Sequence, residues 1–276
     1  LRAGRYRGGP VERLEYGILG PLEVRRGQVL VPINAPRERV VLAALLLQPN
    51  RVVAAARLID LIWGNSPPAA AQNTLQSLVL RLRRRIEPAT RFSHPAQVLI
   101  TRRPGYLLRA EPGQIDLQRF EQLLARGREA SLAGHPTAAA RSFHEATALC
   151  RGPALVDVVT DGLRSEAARL QEGYLEATEG RIRADLDTGR HAQVVGELRA
   201  LIADHPFREP LHGLLMLALY RCDRQAEALL VFRTLRAMLA DDLGIEPAAA
   251  LQELHRAILH RTVAPVRAPA AGRRPA

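Results

Sequence analysis

Residues 68–87, PAAAQNTLQSLVLRLRRRIE, decide how the chain is read. Stepping roughly 100° per residue from Leu75 brings Leu75, Val79, Leu82 and Ile86 to within about 40° of one another, with Ala71 and Leu78 near the same side. The opposite side collects Asn73, Ser77, Leu80 and Arg84, adjoined by Gln72, Gln76 and Arg81. Such a helix is held by a core along its apolar stripe while its other face offers amides and guanidinium groups to a polyanion. Those are the groups that pair with adenine and guanine edges in a major groove, or with phosphates. Of the four arginines in the five positions 81–85, Arg81 and Arg84 are the predicted DNA contacts and Arg83 and Arg85 are flankers. Leu80 is open to two readings, contact with a thymine methyl group or local packing.

The neighbouring stretches turn this helix into a fold. Pro67-Pro68 preset its entry, because proline suits a first turn whose N–H groups lack partners anyway, and Pro88 closes it. Upstream, residues 14–33 alternate and break at Gly20-Pro21 and Arg26-Gly27, the pattern of a small antiparallel sheet. A helix is predicted from Pro36 to Leu47, stopped by Gln48-Pro49-Asn50. A second, short one carries Leu58, Ile59, Ile62 and Trp63 and ends at Gly64, with Trp63 assigned to the core rather than to a stacking platform. Downstream, Val98–Thr101 and Tyr106–Arg109 flank Arg102-Arg103-Pro104-Gly105, a β-hairpin with a basic tip. Strands, three helices and a closing hairpin in that order make a winged helix-turn-helix whose third helix is the reader. Thr101, Arg102 and Arg103 are the candidate wing and backbone contacts, against the plainer reading that the charges keep a turn soluble.

Charge is distributed to match. Residues 1–110 hold 18 Arg against 6 acidic residues, a net +12, while the remainder is −1, giving the +11 of the whole 276-residue chain. A polycation confined to one segment points to nucleic acid ahead of a membrane surface or an acidic protein partner. The chain contains no lysine, and arginine makes bidentate phosphate and guanine contacts that lysine cannot match.

From Ile115 onward the pattern is almost wholly helical, broken at Gly134-His135-Pro136, Arg151-Gly152-Pro153, Gly189, His205-Pro206, Asp223 and Gly244. Gly189-Arg190-His191-Ala192 and Asp223-Arg224-Gln225-Ala226 are 34 residues apart, the period of tetratricopeptide repeats. Val195, Leu198 and Leu201 fall in register with Leu229, Phe232 and Leu235, and Gly134 with Ala140, Phe143 and Ala146 keeps the same internal spacing. Each unit is expected to be a helical hairpin that buries its apolar face by stacking on its neighbours.

Other classes find little support. The longest apolar runs fall far short of a membrane span. The first residues are rich in Arg and Gly without the apolar core of a secretory signal. Cys150 and Cys222 lack metal-ligand spacing and read as reduced thiols in a cytoplasmic protein. The scattered histidines come with no HExxH motif, and no nucleophile with a positioned base is nominated, so neither a metal, a cofactor nor catalysis is expected.

Several stretches together resemble the antibiotic regulatory protein family of actinobacterial transcription activators, the SARPs. They are Leu19-Gly20-Pro21-Leu22-Glu23-Val24, Arg57-Leu58-Ile59-Asp60 to Trp63-Gly64, Arg81-Leu82-Arg83-Arg84, Thr101-Arg102 with Pro104-Gly105-Tyr106, Leu215-Met216-Leu217-Ala218-Leu219-Tyr220, and Leu243-Gly244-Ile245-Glu246-Pro247. The resemblance runs from about residue 14 to 260. It implies an OmpR-type winged helix, the effector type of two-component systems, over residues 14–110. A helical, tetratricopeptide-like bacterial transcriptional activation domain follows over 111–260. Residues 1–13 and 261–276 are expected to be a disordered lead and tail. The fold class is mainly α with a small β component. By the same resemblance the reading helix is 68–87 and the wing 98–109, and Leu78 and Leu80 depart from the polar residues usual there, which bears on the target sequence. No GxxxxGK[ST] sequence occurs, as in the short members of the family.

The resemblance implies an activator of secondary-metabolite genes that binds direct repeats in double-stranded promoter DNA as a dimer or tandem protomers and recruits RNA polymerase holoenzyme. A helical-repeat adaptor that binds a peptide, with its basic module only tethering it nonspecifically to nucleic acid, is the competing reading.

Overall fold

The computed structural model describes residues 13–87, 98–158 and 160–263. Pro88, residues 1–12 of the expected lead and the tail beyond 263 lie outside them. Strands β1 (Leu14–Gly17), β2 (Glu23–Arg26) and β3 (Val29–Leu30) form an antiparallel sheet in that order, with Tyr16 opposite Val24. Both of those side chains are buried, as alternation requires of one sheet face.

Helix α1 (Pro36–Leu47) follows, with proline at its first position and every residue from Val40 to Leu46 buried. A helix apolar on nearly all sides has to sit at the centre, and α2 (Ala55–Trp63) and α3 (Ala71–Ile86) both pack against it. The predicted reading helix begins three residues later than Pro68. The Pro68 carbonyl instead accepts the Ala71 N–H at 2.9 Å and closes a separate turn before the helix starts. Within α2, Ala55, Leu58 and Leu61 face the core. Trp63, expected to be buried with them, is half-buried, and the Arg37 guanidinium lies over its ring 5.4 Å from the centroid.

The hairpin of β5 (Leu99–Arg102) and β6 (Gly105–Leu108) is formed as predicted, but a third strand escapes the sequence pattern. This is β4 (Val53–Ala54), which pairs with β6 to give the order β4-β6-β5. Two residues are too few to show alternation. Gly105 records the pairing all the same, since a Cβ there would stand 1.9 Å from the Val53 carbonyl oxygen, a close backbone approach only glycine permits.

Seven further α-helices, with a 3-10 turn at Asp161–Leu163, complete the described residues: α4 (Asp116–Leu132), α5 (Pro136–Ala148), α6 (Arg164–Asp187), α7 (His191–Asp204), α8 (Glu209–Arg221), α9 (Gln225–Leu243) and α10 (Ala249–Leu259). The 34-residue repeat is written into the backbone. The Gly189 N–H donates to the Leu186 carbonyl and Arg190 to Asp185, while Asp223 donates to Tyr220 and Arg224 to Leu219. The earlier copy has Gly134 donating to Ser131 and His135 to Ala130. Gly134, Gly189 and Asp223 all have positive φ, the left-handed residue that ends one helix and lets the next fold back. Leu198, Phe232, Leu235, Ala140, Phe143 and Ala146 are buried, as the repeat register requires. The Phe143 ring lies against Gly127 of α4 and Gly180 of α6, where added Cβ atoms would approach it to 2.6 and 2.7 Å.

The chain divides into two compact units. One contains the described residues up to Gln122 together with Ala146–Tyr174, and the other contains Leu123–Glu145 with the residues from Leu175 onward. The segment joining α5 to α6 therefore belongs to the winged-helix unit, although it lies far beyond the wing in sequence. Arg151 donates its N–H to the Leu19 carbonyl at 2.7 Å, and Leu155 donates to Gly20 at 2.9 Å. Asp157 accepts the Leu22 N–H at 2.9 Å and pairs with Arg39, and Thr160 Oγ1 donates to the Leu61 carbonyl at 2.6 Å. Asp116, at the start of α4, accepts the Ile18 and Leu19 N–H groups at 2.9 and 3.0 Å, and burial raises its pKa above the usual carboxylate range.

Candidate nucleic-acid interface

The interface is built on α3. Ala71, Leu75, Leu78, Val79, Leu82 and Ile86 are buried, which fixes the rotation of the helix. The seven residues predicted to read DNA, Gln72, Asn73, Gln76, Ser77, Leu80, Arg81 and Arg84, are consequently all exposed. Leu80 is 47% exposed, so the local-packing reading of that side chain has no burial behind it. Ser77 Oγ donates back to the Asn73 carbonyl at 3.0 Å, a bond within the helix that leaves its lone pairs outward. Thr101, Arg102 and Arg103 are likewise exposed on the β5–β6 hairpin.

The four arginines of 81–85 divide by function. Arg83 donates from Nε to the Leu99 carbonyl at 2.8 Å and from Nη2 to Thr101 Oγ1 at 2.7 Å, fastening α3 to the wing. Thr101 thus has an intramolecular partner as well as an exposed position. Arg85 donates to the Pro32 carbonyl at 2.9 Å and pairs with Glu38. Arg81 also pairs with Glu38 while remaining half-exposed. Arg84 alone of the four has no hydrogen bond or ion pair among the described residues. The C-terminal carbonyls of α3, at Arg85 and Ile86, accept from Arg26 Nη2 at 3.3 and 3.2 Å, so a strand arginine satisfies the negative end of the helix. Glu87 accepts the N–H groups of Val98 and Leu99, holding the start of the wing to the end of the helix.

Sequence reasoning found the outward face and missed the fasteners. Arg26, Glu38 and Glu87 were not singled out, because their partners lie 11 to 60 residues away and no local period reports them. Elsewhere, a separate cavity of about 270 Å³ among α7, α8 and α9 is lined by Ile202, Leu215, Leu219, Leu230 and Val231. Among the described residues no group of three or more His, Cys, Asp or Glu is placed to hold a metal ion, and no helix is long and apolar enough to cross a membrane.

Comparison with known proteins agrees with this arrangement. Residues 33–108 match the family described as "Transcriptional regulatory protein, C terminal", and residues 115–259 match "Bacterial transcriptional activator domain". Regulatory protein DnrI of Streptomyces peucetius is 42% identical over 251 residues, covering 89% of this chain and 92% of the relative. Regulatory protein AfsR of Streptomyces coelicolor is 40% identical over 247 residues, and there the chain spans only 24% of the relative's length. A solved structure of Mycobacterium tuberculosis EmbR in complex with a low affinity phosphopeptide superposes with a TM-score of 0.85 at 36% identity, covering 90% of this chain and 65% of that one. DnrI and AfsR are named regulatory proteins, and EmbR of Mycobacterium tuberculosis is named a transcriptional regulatory protein. With a winged helix followed by a helical activator domain, and with that kinship, the chain belongs to the SARP family of DNA-binding transcriptional activators.

Proposed function

We propose that this activator docks the exposed face of α3 in the major groove of promoter DNA, with Gln72, Asn73, Gln76, Ser77, Leu80, Arg81 and Arg84 meeting base edges and nearby phosphates. Thr101, Arg102 and Arg103 of the wing hold the adjoining backbone. Protomers bind direct repeats as a dimer or in tandem, in the cytoplasm. Residues 14–110 serve as the DNA-binding module, and residues 111–260 contact RNA polymerase holoenzyme to activate secondary-metabolite genes. The observation that carries this reading is the exposure of all seven polar-face residues on a helix whose other face is fully buried. The +12 charge of residues 1–110 supports it by supplying a field that draws DNA to that part of the chain.

A footprint of the purified chain over promoters near its own gene tests it. Protection is expected as direct repeats whose centres lie about 10 to 11 base pairs apart or a multiple of that, so that successive protomers meet the same face of the duplex. If about six phosphates are neutralised, log K falls against log salt with a slope of roughly −5. Affinity insensitive to salt, or equal displacement by promoter and random duplex, contradicts the proposal, and the second result is what the adaptor reading predicts.

A further inference from the structure

Glu38 is the most buried acidic residue in the described chain, 1% exposed, and it sits on α1 directly behind the reading helix. Its Oε1 lies 3.3 Å from Nε of Arg81 and its Oε2 3.3 Å from Nε of Arg85. Burying a carboxylate costs several kcal/mol unless opposite charges and dipoles offset it. Two arginines do so here, together with the first turn of α1, where Glu38 is the third residue and faces the positive end of the helix dipole.

The two arginines are left in different states. Arg85 also donates to the Pro32 carbonyl and is drawn inward. Arg81 is 52% exposed, and its two terminal nitrogens have no partner among the described residues. Both contacts are ion pairs without hydrogen-bond geometry, Glu38 Oε2 being buried with no hydrogen-bond donor, and the approach at Nε leaves the planar pair of terminal N–H groups of Arg81 unpartnered as a fork. A free arginine side chain has no such restraint and loses rotamer freedom only when it binds.

We propose that Glu38 is a positioning residue for DNA recognition: it holds Arg81 at Nε so that the Nη1 and Nη2 groups form a preset fork for a guanine edge. This rests on the reading of α3 as the DNA-binding face. Glu38 itself touches no DNA. Its effect falls on discrimination between sequences, since a fixed fork matches guanine O6 and N7 and a loose arginine spends its charge on any phosphate.

The test uses the full chain, a duplex that the wild type enriches from a random-sequence pool, and a random duplex of equal length. With Glu38→Gln, the ratio of selected to random affinity falls about tenfold, within the discrimination of one bidentate contact. Affinity for the random duplex holds or rises, because a negative charge has been removed. On an Arg81→Ala background the same substitution changes the ratio no further. A Glu38→Gln chain that discriminates as well as wild type, or that loses affinity for both duplexes in equal proportion, overturns the inference. Should Glu38→Gln fail to fold, Arg81→Lys carries the test at a half-exposed position: the charge stays, the fork goes, and the ratio again falls about tenfold. An unchanged ratio for Arg81→Lys overturns the inference equally. A wild type that enriches no sequence overturns the DNA reading itself and this inference with it, whereas a discriminating wild type with an equally discriminating Glu38→Gln overturns only the role of Glu38.

Discussion

Arg83 and Arg84 are neighbours on α3, and the roughly 100° between them sends one guanidinium to the Leu99 carbonyl and the other to solvent. The letters are the same and the roles opposite. Helical periodicity alone placed Arg84 outward, since it needs only the positions of Leu75, Val79, Leu82 and Ile86. The partners of Arg83 lie 16 and 18 residues away on β5, where no helical periodicity reaches. Gly105 shows the same limit, because it reads as a turn residue in the sequence and is in fact a point of β6 where the backbone of β4 leaves no room for a Cβ. Gly105→Ala is expected to force those backbones apart and to lower the stability of the winged-helix unit by about 1–3 kcal/mol, the usual cost of overpacking a tight site. Urea unfolding followed by circular dichroism checks this, and an unchanged midpoint would mean that the pairing of β4 is not held at that contact.

Most elements were readable because their ends carry breakers. Pro36, Gly64, Gly134-His135-Pro136, Gly189, Asp223 and Gly244 each stand at or beside a helix end, as their missing N–H or left-handed backbone dictates. The segment between α5 and α6 could not be read in this way. It has no regular period, and its value lies in contacts made back to Leu19, Gly20 and Leu22, more than 130 residues earlier in the chain. The Leu19–Val24 stretch thus owes its character to the loop that docks on it. Asp157 makes two of those contacts, accepting the Leu22 N–H and pairing with Arg39. Asp157→Ala leaves the Leu22 N–H without its acceptor and a mostly buried guanidinium with only the Ile33 and Leu22 carbonyls, and should destabilise this unit by roughly 1–3 kcal/mol. Amide hydrogen exchange locates the effect: faster exchange at Leu22 with α8 unchanged is expected, and protection at Leu22 equal to wild type contradicts it.

At the scale of the molecule, the two parts of the chain differ in charge, and the helical unit carries buried histidines that respond to acid. His191, His212 and His255 belong to the helical unit, and each has its pKa held below the ordinary 6.5, first of all by burial. Arg221 adds to the lowering at His191, and Arg233 and Arg236 add to it at His255. A depressed folded-state pKa means that the fold prefers the neutral ring. The stability it contributes is therefore present above the unfolded-state value and is lost as pH falls through the lower, folded values. Acidification from about pH 7.5 to about pH 5.5 should lower the unfolding midpoint of the wild type more than that of a chain with all three histidines changed to Gln, and an equal fall in both contradicts it. The concentration of +12 in residues 1–110 was legible from composition, and the face it serves from one helix. The most direct test of that face compares wild type, Arg84→Ala and Arg102→Ala on a duplex the wild type selects and on a random duplex. The account predicts that Arg84→Ala costs about 1–3 kcal/mol on the selected duplex and relaxes specificity, while Arg102→Ala weakens both duplexes alike and reduces the salt slope by about 1. Unchanged affinity and an unchanged footprint for Arg84→Ala would contradict it.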